Sequence, residues 1–150
     1  MQVFIPYPEP IKVARCLDKK RLHKQILECK QIIAAIEGAN IRWANHPVVK
    51  MYMPHKKWLS CYLTTLELFW KGFPESAEIA SKEADVFRPI WMKHQLCETH
   101  KRRLYKKDPT YYSEFAKYGF TTFNYYVVDN KVLVYNNGKL IHTESLKDYV

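Results

Sequence analysis

Between His55 and Trp70 the chain places a large apolar side chain on nearly every helical turn: Trp58, Leu59, Tyr62, Leu63, Leu66, Phe69 and Trp70. A helix with one apolar stripe can lie on a surface. A helix apolar around most of its circumference has to sit among other elements. The segment predicts a central helix, closed by Gly72, on which the rest must pack. Candidates for that packing flank it. Leu22, Ile26, Cys29, Ile33 and Ile36 recur at helical spacing, with Asp18 as N-cap and Gly38 past the end. A short helix is expected from Pro10 to Cys16, preceded by the extended, Pro-rich FIPYPEP lying across the helices. Asn45-His46-Pro47 opens another helical region, which Pro54 breaks. Helices over Ser76 to Val86 and Ile90 to about Lys106 follow, then a short one from Asp108-Pro109 to Gly119.

The tail changes period. YYVV, KVLVY and KLIHT are β-prone and are separated by Asp129-Asn130 and Asn136-Asn137-Gly138. The predicted fold is mostly α: a compact single-domain helical bundle with a small C-terminal antiparallel β meander. Residues 1–119 form the helical body and residues 120–150 the β-prone extension. A chain of 150 residues is long enough for one ordinary core.

Charge narrows the partner. The formal net charge is +9, and an excess of that size favours a polyanion, most often nucleic acid. No apolar run approaches the ~18 residues of a membrane span, and the N-terminus lacks a secretory pattern. The expectation is a protein that is neither secreted nor membrane-bound, cytoplasmic or located wherever the DNA is. Cys16, Cys29, Cys61 and Cys97 show no CxxC spacing and read as free thiols in a reducing compartment. His94, Cys97 and His100 look metal-like, but their i, i+3, i+6 spacing spreads them over about 120° of a helix, poor for one tetrahedral ion. No metal or other cofactor is expected.

Two segments carry the charge. Asp18 to Glu28 crowds Lys19, Lys20, Arg21 and Lys24 into a helix start, where cations oppose the macrodipole at about 0.3–1 kcal/mol each. An anionic ligand accounts for them; so does a solvated face with a Lys24–Glu28 pair. Arg21, Gln25, Glu28 and Ile32 form a second stripe beside the core stripe, and Glu28 is its only acid. KRRLYKKDPTYY supplies Arg102, Arg103, Lys106 and Lys107, with Tyr111 and Tyr112 directly after. Cations suit phosphates and flat rings suit unstacked bases; an exposed helix end with ordinary packing tyrosines explains the same residues. His46 reads as a cap that could also reach a phosphate or base.

MQVFIPY, the basic early helix with KRLHKQ, the aromatic helix ending in WKGF, and RRLYKKDPTYYSEFAKYG occur in an order that resembles the pyrimidine-dimer DNA glycosylase family of the phage endonuclease V type. The similarity runs from about Met1 to Gly119. It implies a compact helical domain that binds double-stranded DNA, kinked or damaged, as a monomer. It also implies excision of a damaged or modified pyrimidine, followed by strand cleavage at the abasic site. In that chemistry the chain's own α-amine attacks the sugar C1′ and forms a Schiff base, assisted by a glutamate of the early helix. An α-amine titrates near about 7.7–8, against about 10.4 for lysine, so more of it is nucleophilic at neutral pH. Here the implied catalytic residues are Met1 or a processed Gln2, with Glu28. Gln2 is bulky and disfavours removal of Met1, and Arg21 is followed by Leu22 and His23 rather than an acid. The implied DNA contacts are Lys20, Arg21, His23, Lys24, Gln25, His46, Arg102, Arg103, Lys106, Lys107, Tyr111 and Tyr112. The alternative is a non-catalytic DNA- or RNA-binding module on the same scaffold.

Overall fold

The computed structural model describes Met1–Val150. It is mostly helical, with a three-stranded sheet at its C-terminal end. The chain divides into two compact units, Met1–Pro89 and Ile90–Val150.

The first unit contains α1 (Pro10–Cys16), α2 (Lys19–Ile36), α3 (Pro47–Tyr52), α4 (Lys56–Trp70) and α5 (Pro74–Val86). As the aromatic run requires, α4 is central: α1, α2 and α5 all pack on it, and α3 packs on α2. Trp58, Leu59, Tyr62 and Leu66 are completely buried. Trp58 stacks between Tyr52, at 5.7 Å and 19°, and Tyr62, at 5.1 Å and 29°. Pro54 breaks the region as expected, through a short 3-10 turn at Met53–His55. The expectation fails at the end of α4, where Trp70 is exposed rather than core.

Two further sequence expectations for this unit need correction. The buried face of α2 is Leu22, Gln25, Ile26, Cys29, Ile32 and Ala35. Gln25 and Ile32 thus belong to the core face, not to a neighbouring stripe, and Ile33 and Ile36 lie at its edge. Asp18 occupies the N-cap without a side-chain capping bond; its carboxylate meets Arg21 at 3.1 Å instead. The N-terminal segment does not lie across the surface either. Val3 and Ile5 are fully buried and Gln2 nearly so.

In the second unit, α6 (His94–Lys107) packs on a 3-10 segment, Ser113–Tyr118, and on β1 (Asn124–Val128). β1, β2 (Lys131–Asn136) and β3 (Lys139–Ser145) pair in order as an antiparallel meander. Both hairpin turns use left-handed pairs, Asp129-Asn130 at φ 51° and 62° and Asn137-Gly138 at φ 51° and 76°. These are the residue types that a two-residue turn between twisted strands needs. Val132 and Val134 are fully buried, whereas β3 is exposed along nearly its whole length. The helix expected from Asp108 is instead a turn, in which the Asp108 carboxylate accepts from the Tyr111 amide at 3.0 Å, followed by the 3-10 segment. No helix of the chain is long and apolar enough to cross a membrane.

His100 is buried in α6, and burial together with the neighbouring Arg103 charge holds its pKa down at about 3. In the unfolded chain the ring binds its proton near about 6.5. The unfolded state therefore holds more protons than the native state between these values, and stability falls as pH drops from about 6.5 toward 3. The dependence should approach a one-proton slope, about 1.4 kcal/mol per pH unit. Denaturant titrations from about pH 7 to 4 should show His100→Gln losing that slope; equal slopes in both proteins would place the ring in water.

Candidate active site around the N-terminal segment

The first five residues are held by one side chain. Gln25 is only 2% exposed. Its Oε1 accepts the Phe4 amide at 2.6 Å, and its Nε2 donates to the Gln2 carbonyl at 2.9 Å. A carboxamide offers one acceptor and one donor side by side, as a neighbouring strand would. The pairing fixes the segment without a sheet. Tyr62, from the core of α4, donates its hydroxyl to the Phe4 carbonyl at 2.6 Å and lies 3.4 Å from Gln25 Oε1. Burial keeps that phenol neutral, raising its pKa well above the ordinary value. The Cys29 thiol, 3.7 Å from Gln25 Nε2, is also buried and held protonated. It is a packing group, not a nucleophile.

One turn further along α2, Glu28 Oε2 accepts the Gln2 backbone N–H at 3.0 Å, and Glu28 Oε1 lies 3.7 Å from Lys24 Nζ. The carboxylate is 18% exposed and the lysine 70%, so the acid sits in a recess with a cation at its mouth. His46 caps α3: its Nδ1 accepts the Val48 amide at 3.1 Å. An imidazole whose Nδ1 accepts carries its proton on Nε2 while neutral. Burial, and secondly the charge of the N-terminal amine, lower its pKa. The amine, Glu28, Lys24 and His46 thus form one electrostatic neighbourhood around residues 1 and 2. It combines a carboxylate that can take a proton, a neutral N–H donor and a cation.

The remaining expected contacts divide. Lys20, His23 and Lys24 are exposed on α2, and the His23 ring lies 5.2 Å from that of Trp70. Arg21 is half-buried against Asp18. Gln25 is buried, and its amide is committed to the N-terminal segment. In the second unit, Lys106, Lys107 and Tyr111 are exposed. Arg102 and Arg103 have a structural role: Arg102 Nε donates to the Tyr118 carbonyl at 2.9 Å, and an Arg103 amino group donates to the Thr122 carbonyl at 2.8 Å. Tyr112 is completely buried and stacks on Phe115 at 6.1 Å and 5°, so it offers no face to a base. His94, Cys97 and His100 do not converge: His94 is exposed and meets Glu98 at 2.8 Å, while Cys97 and His100 are buried. No group of three or more His, Cys, Asp or Glu side chains is arranged to hold a metal.

Sequence reasoning missed Tyr62 and Trp70. A tyrosine in an otherwise apolar buried helix carries a hydroxyl that must find a partner. That alone marks Tyr62 as a tether for some other segment. The WKGF turn marks Trp70 less directly.

The carboxylate of Glu28 on α2 is thus set against the start of the chain, on a helix that opens with four cations. The family model described as pyrimidine dimer DNA glycosylase matches residues 1–73. The match covers just under half of the chain and supports the resemblance read from the sequence. The matched range contains Gln2, Gln25, Glu28, His46 and Tyr62 and ends at Phe73; the segment from Arg102 to Tyr112 lies beyond it. No curated protein and no solved structure matches the chain.

Gln25→Met keeps bulk but leaves the Phe4 amide and Gln2 carbonyl without their partner. The expected loss is about 2–4 kcal/mol of stability, from two to three buried hydrogen bonds. The Phe4 amide should also lose its protection from hydrogen exchange. Unchanged exchange at Phe4 would mean that Gln25 does not hold the segment.

Proposed function

We propose that the chain is a DNA N-glycosylase acting on damaged or modified pyrimidines, with abasic-site lyase activity through an N-terminal amine. The observation that carries this reading is the 3.0 Å contact between Glu28 Oε2 and the nitrogen of residue 2. In the proposed reaction the amine lone pair forms a bond to C1′ as the glycosidic bond breaks, and the base leaves with that electron pair and takes up a proton. Glu28 accepts the proton released by the attacking amine and offsets the positive charge that develops on the sugar. Glu28 can pass that proton to the departing base, while neutral His46, with its proton on Nε2, offers the base a hydrogen bond. Opening of the sugar ring leaves a Schiff base, from which elimination of the 3′ phosphate cuts the strand and hydrolysis frees the enzyme.

The nitrogen beside Glu28 belongs to residue 2. If Met1 is removed, that nitrogen is the nucleophile and is already in contact with its base. If Met1 stays, the same nitrogen is a peptide amide, and the amine lies one residue away, toward His46. One residue spans up to about 3.3–3.6 Å, comparable to an attack distance. This register also favours a second reading, a non-catalytic DNA- or RNA-binding module in which Glu28 merely anchors the segment. The two readings separate on borohydride trapping. Mass spectrometry first identifies the terminal residue; trapping on abasic DNA followed by peptide mapping then locates the adduct. An adduct on residue 1 or 2 supports the enzyme. An adduct on an internal lysine keeps a lyase but removes the amine. Absence of adduct, base release and strand cleavage across a broad lesion set leaves the binding module.

Glu28→Gln preserves size and hydrogen bonding while removing the base. It should lower excision or trapping about 10²–10⁴-fold, with DNA affinity changed far less. A wild-type rate in this variant would reduce Glu28 to the surface partner of Lys24.

The cations of α2 are proposed to hold DNA phosphates. Replacing Lys20 and Lys24 together should weaken binding to all sequences alike and flatten the salt dependence by roughly one unit per lost contact. Replacing Arg102 and Arg103 should instead destabilise the second unit, because their carbonyl partners at Tyr118 and Thr122 lose their donors. A flattened salt slope with unaltered stability in that second pair would return Arg102 and Arg103 to the DNA interface.

A further inference from the structure

A cleft of about 360 Å³ opens in the second unit, with α6 along one side and Tyr125 of β1 and Tyr149 of the 3-10 turn Leu146–Tyr149 along the other. Its size is at the small end for a ligand pocket. His94, Glu98 and Arg102 recur at i, i+4 and i+8 and so share one face of α6. Glu98 Oε1 lies 2.8 Å from His94 Nε2, and Glu98 Oε2 lies 3.7 Å from an Arg102 amino nitrogen. A carboxylate has about four lone-pair sites, so these contacts leave acceptor capacity. Arg102 is anchored through Nε, which donates to the Tyr118 carbonyl at 2.9 Å; that anchor leaves the N–H bonds of its amino groups for another acceptor. Across the cleft, Tyr149 is held in place. Its hydroxyl donates to Glu144, whose other oxygen lies 2.9 Å from His142 Nε2. Tyr125 is half-buried, and its hydroxyl has no partner within the chain. Burial and the Glu144 charge raise its pKa against the opposing pull of Arg102, so it is a donor at neutral pH. Gln95, exposed at the rim, adds an uncommitted amide.

The paired charges decide what such a cleft can hold. A simple anion that meets Arg102 also meets Glu98, and a cation that meets Glu98 also meets Arg102. A neutral ligand satisfies both if it sets donors for the carboxylate beside an acceptor for the guanidinium, and two tyrosine rings suit a flat one. Two N–H donors side by side, next to a carbonyl oxygen, make the base-pairing edge of guanine. Adenine has no carbonyl there, thymine has one donor between two carbonyls, and cytosine has a single donor group. We infer that the cleft is a binding site for a guanine base. Glu98 accepts from N1–H and the 2-amino group, Arg102 donates to O6, and Tyr125 and Tyr149 pack on the ring. The site lies beyond residues 1–73 and uses none of the groups assigned to excision, so it stands apart from that chemistry. A free nucleoside and an unpaired base of a strand offer the same edge.

The test follows amide chemical shifts of the isotope-labelled full chain as deoxynucleosides are added; being neutral, these are not drawn to the basic surfaces. Deoxyguanosine should move the Gln95 side-chain amide and the backbone amides of Glu98, Thr99 and Tyr125, and the shifts should saturate. Deoxyadenosine, deoxycytidine and thymidine should bind at least about tenfold more weakly, because each leaves Glu98 or Arg102 without a partner. Deoxyinosine, which lacks only the 2-amino group, should fall between. Glu98→Gln should weaken deoxyguanosine binding about tenfold. Tyr125→Phe removes only the unpartnered hydroxyl and should weaken binding about threefold, with the remaining spectrum and the melting temperature unchanged. A short oligothymidylate with one central guanine separates the two sources. Tighter binding than deoxyguanosine through the same amides assigns a base carried by a strand; equal or weaker binding assigns the free nucleoside. No shift at those amides in millimolar deoxyguanosine would overturn the site. So would an equal response to all the nucleosides, or unchanged affinity in both variants.

Discussion

The candidate site depends on the amide of Gln25. A chain end has no obligation to be ordered, and one entering a helical body has no strand beside it to pair with. Gln25 supplies the missing strand with a single side chain, donating to the Gln2 carbonyl and accepting the Phe4 amide. Because Gln25 sits on the buried face of α2, this pairing occurs away from water, where an unmade hydrogen bond is expensive. Val3 and Ile5 are then committed to the core, and the backbone nitrogen of residue 2 arrives at Glu28, one turn along the same helix. Tyr62 locks the arrangement from α4. One helix therefore carries the clamp and the carboxylate, and their spacing is set by helix geometry rather than by a loop.

The same helix carries an electrostatic cost. Cations at its start face the positive end of the macrodipole, and only Asp18 and Glu28 lie close enough to offset them. Neither Lys19 nor Lys20 is neutralised. Folding alone would select against that, while a polyanion that meets the helix start offsets it on binding. The two basic clusters differ in this respect. On α6, Arg102 and Arg103 are tied to the carbonyls of residues 118 and 122, and Lys101 lies over the rings of Phe115 and Tyr118, at 5.8 and 5.0 Å. Much of that positive charge organises the second unit. At the start of α2, Lys19 and Lys20 make no comparable contact.

How legible this was depends on which physical signal each feature leaves. Helical period and Pro/Gly punctuation leave strong local signals. α1 runs over Pro10–Cys16 as expected, and the break at Pro54 and the meander turns at Asp129-Asn130 and Asn137-Gly138 appear where their residue types require. Side-chain polarity misled the reading of α2. Gln25 reads as part of a stripe beside the core stripe and as an implied DNA contact, yet it is buried because a distant backbone segment satisfies it, and nothing within one helix reports that. Tyr112 and Trp70 were misread in opposite senses. A tyrosine beside lysines looks like a base platform and is core; a tryptophan inside an apolar run looks like core and is exposed. Composition cannot tell these apart, because the difference lies in what the rest of the chain places over each ring. Glu28 was chosen as the only acid on its stripe, and it does reach residue 2, though the bond is to the Gln2 amide.

That bond frames the chemistry more sharply than the presence of a carboxylate alone. A glutamate facing an amine and a glutamate anchoring a peptide N–H can look the same, since both hold a nitrogen near 3 Å. They differ in the number of protons on that nitrogen and in whether a lone pair is available. In a peptide the lone pair is delocalised into the carbonyl, so the nitrogen beside Glu28 is inert as long as residue 1 is attached. The clamp fixes the register at residue 2 through the Gln2 carbonyl and the Phe4 amide, and both contacts survive removal of Met1 because neither involves it. In the proposed reaction, the recess would therefore serve a nucleophile at position 2. An intact Met1 would need either a different site for its amine, nearer His46, or a shift of the whole segment against Gln25 and Tyr62. The second option breaks buried hydrogen bonds and drives Val3 and Ile5 out of register with the core. It is the costlier by several such bonds, so the proposed chemistry turns on the terminal residue and not on movement of the clamp.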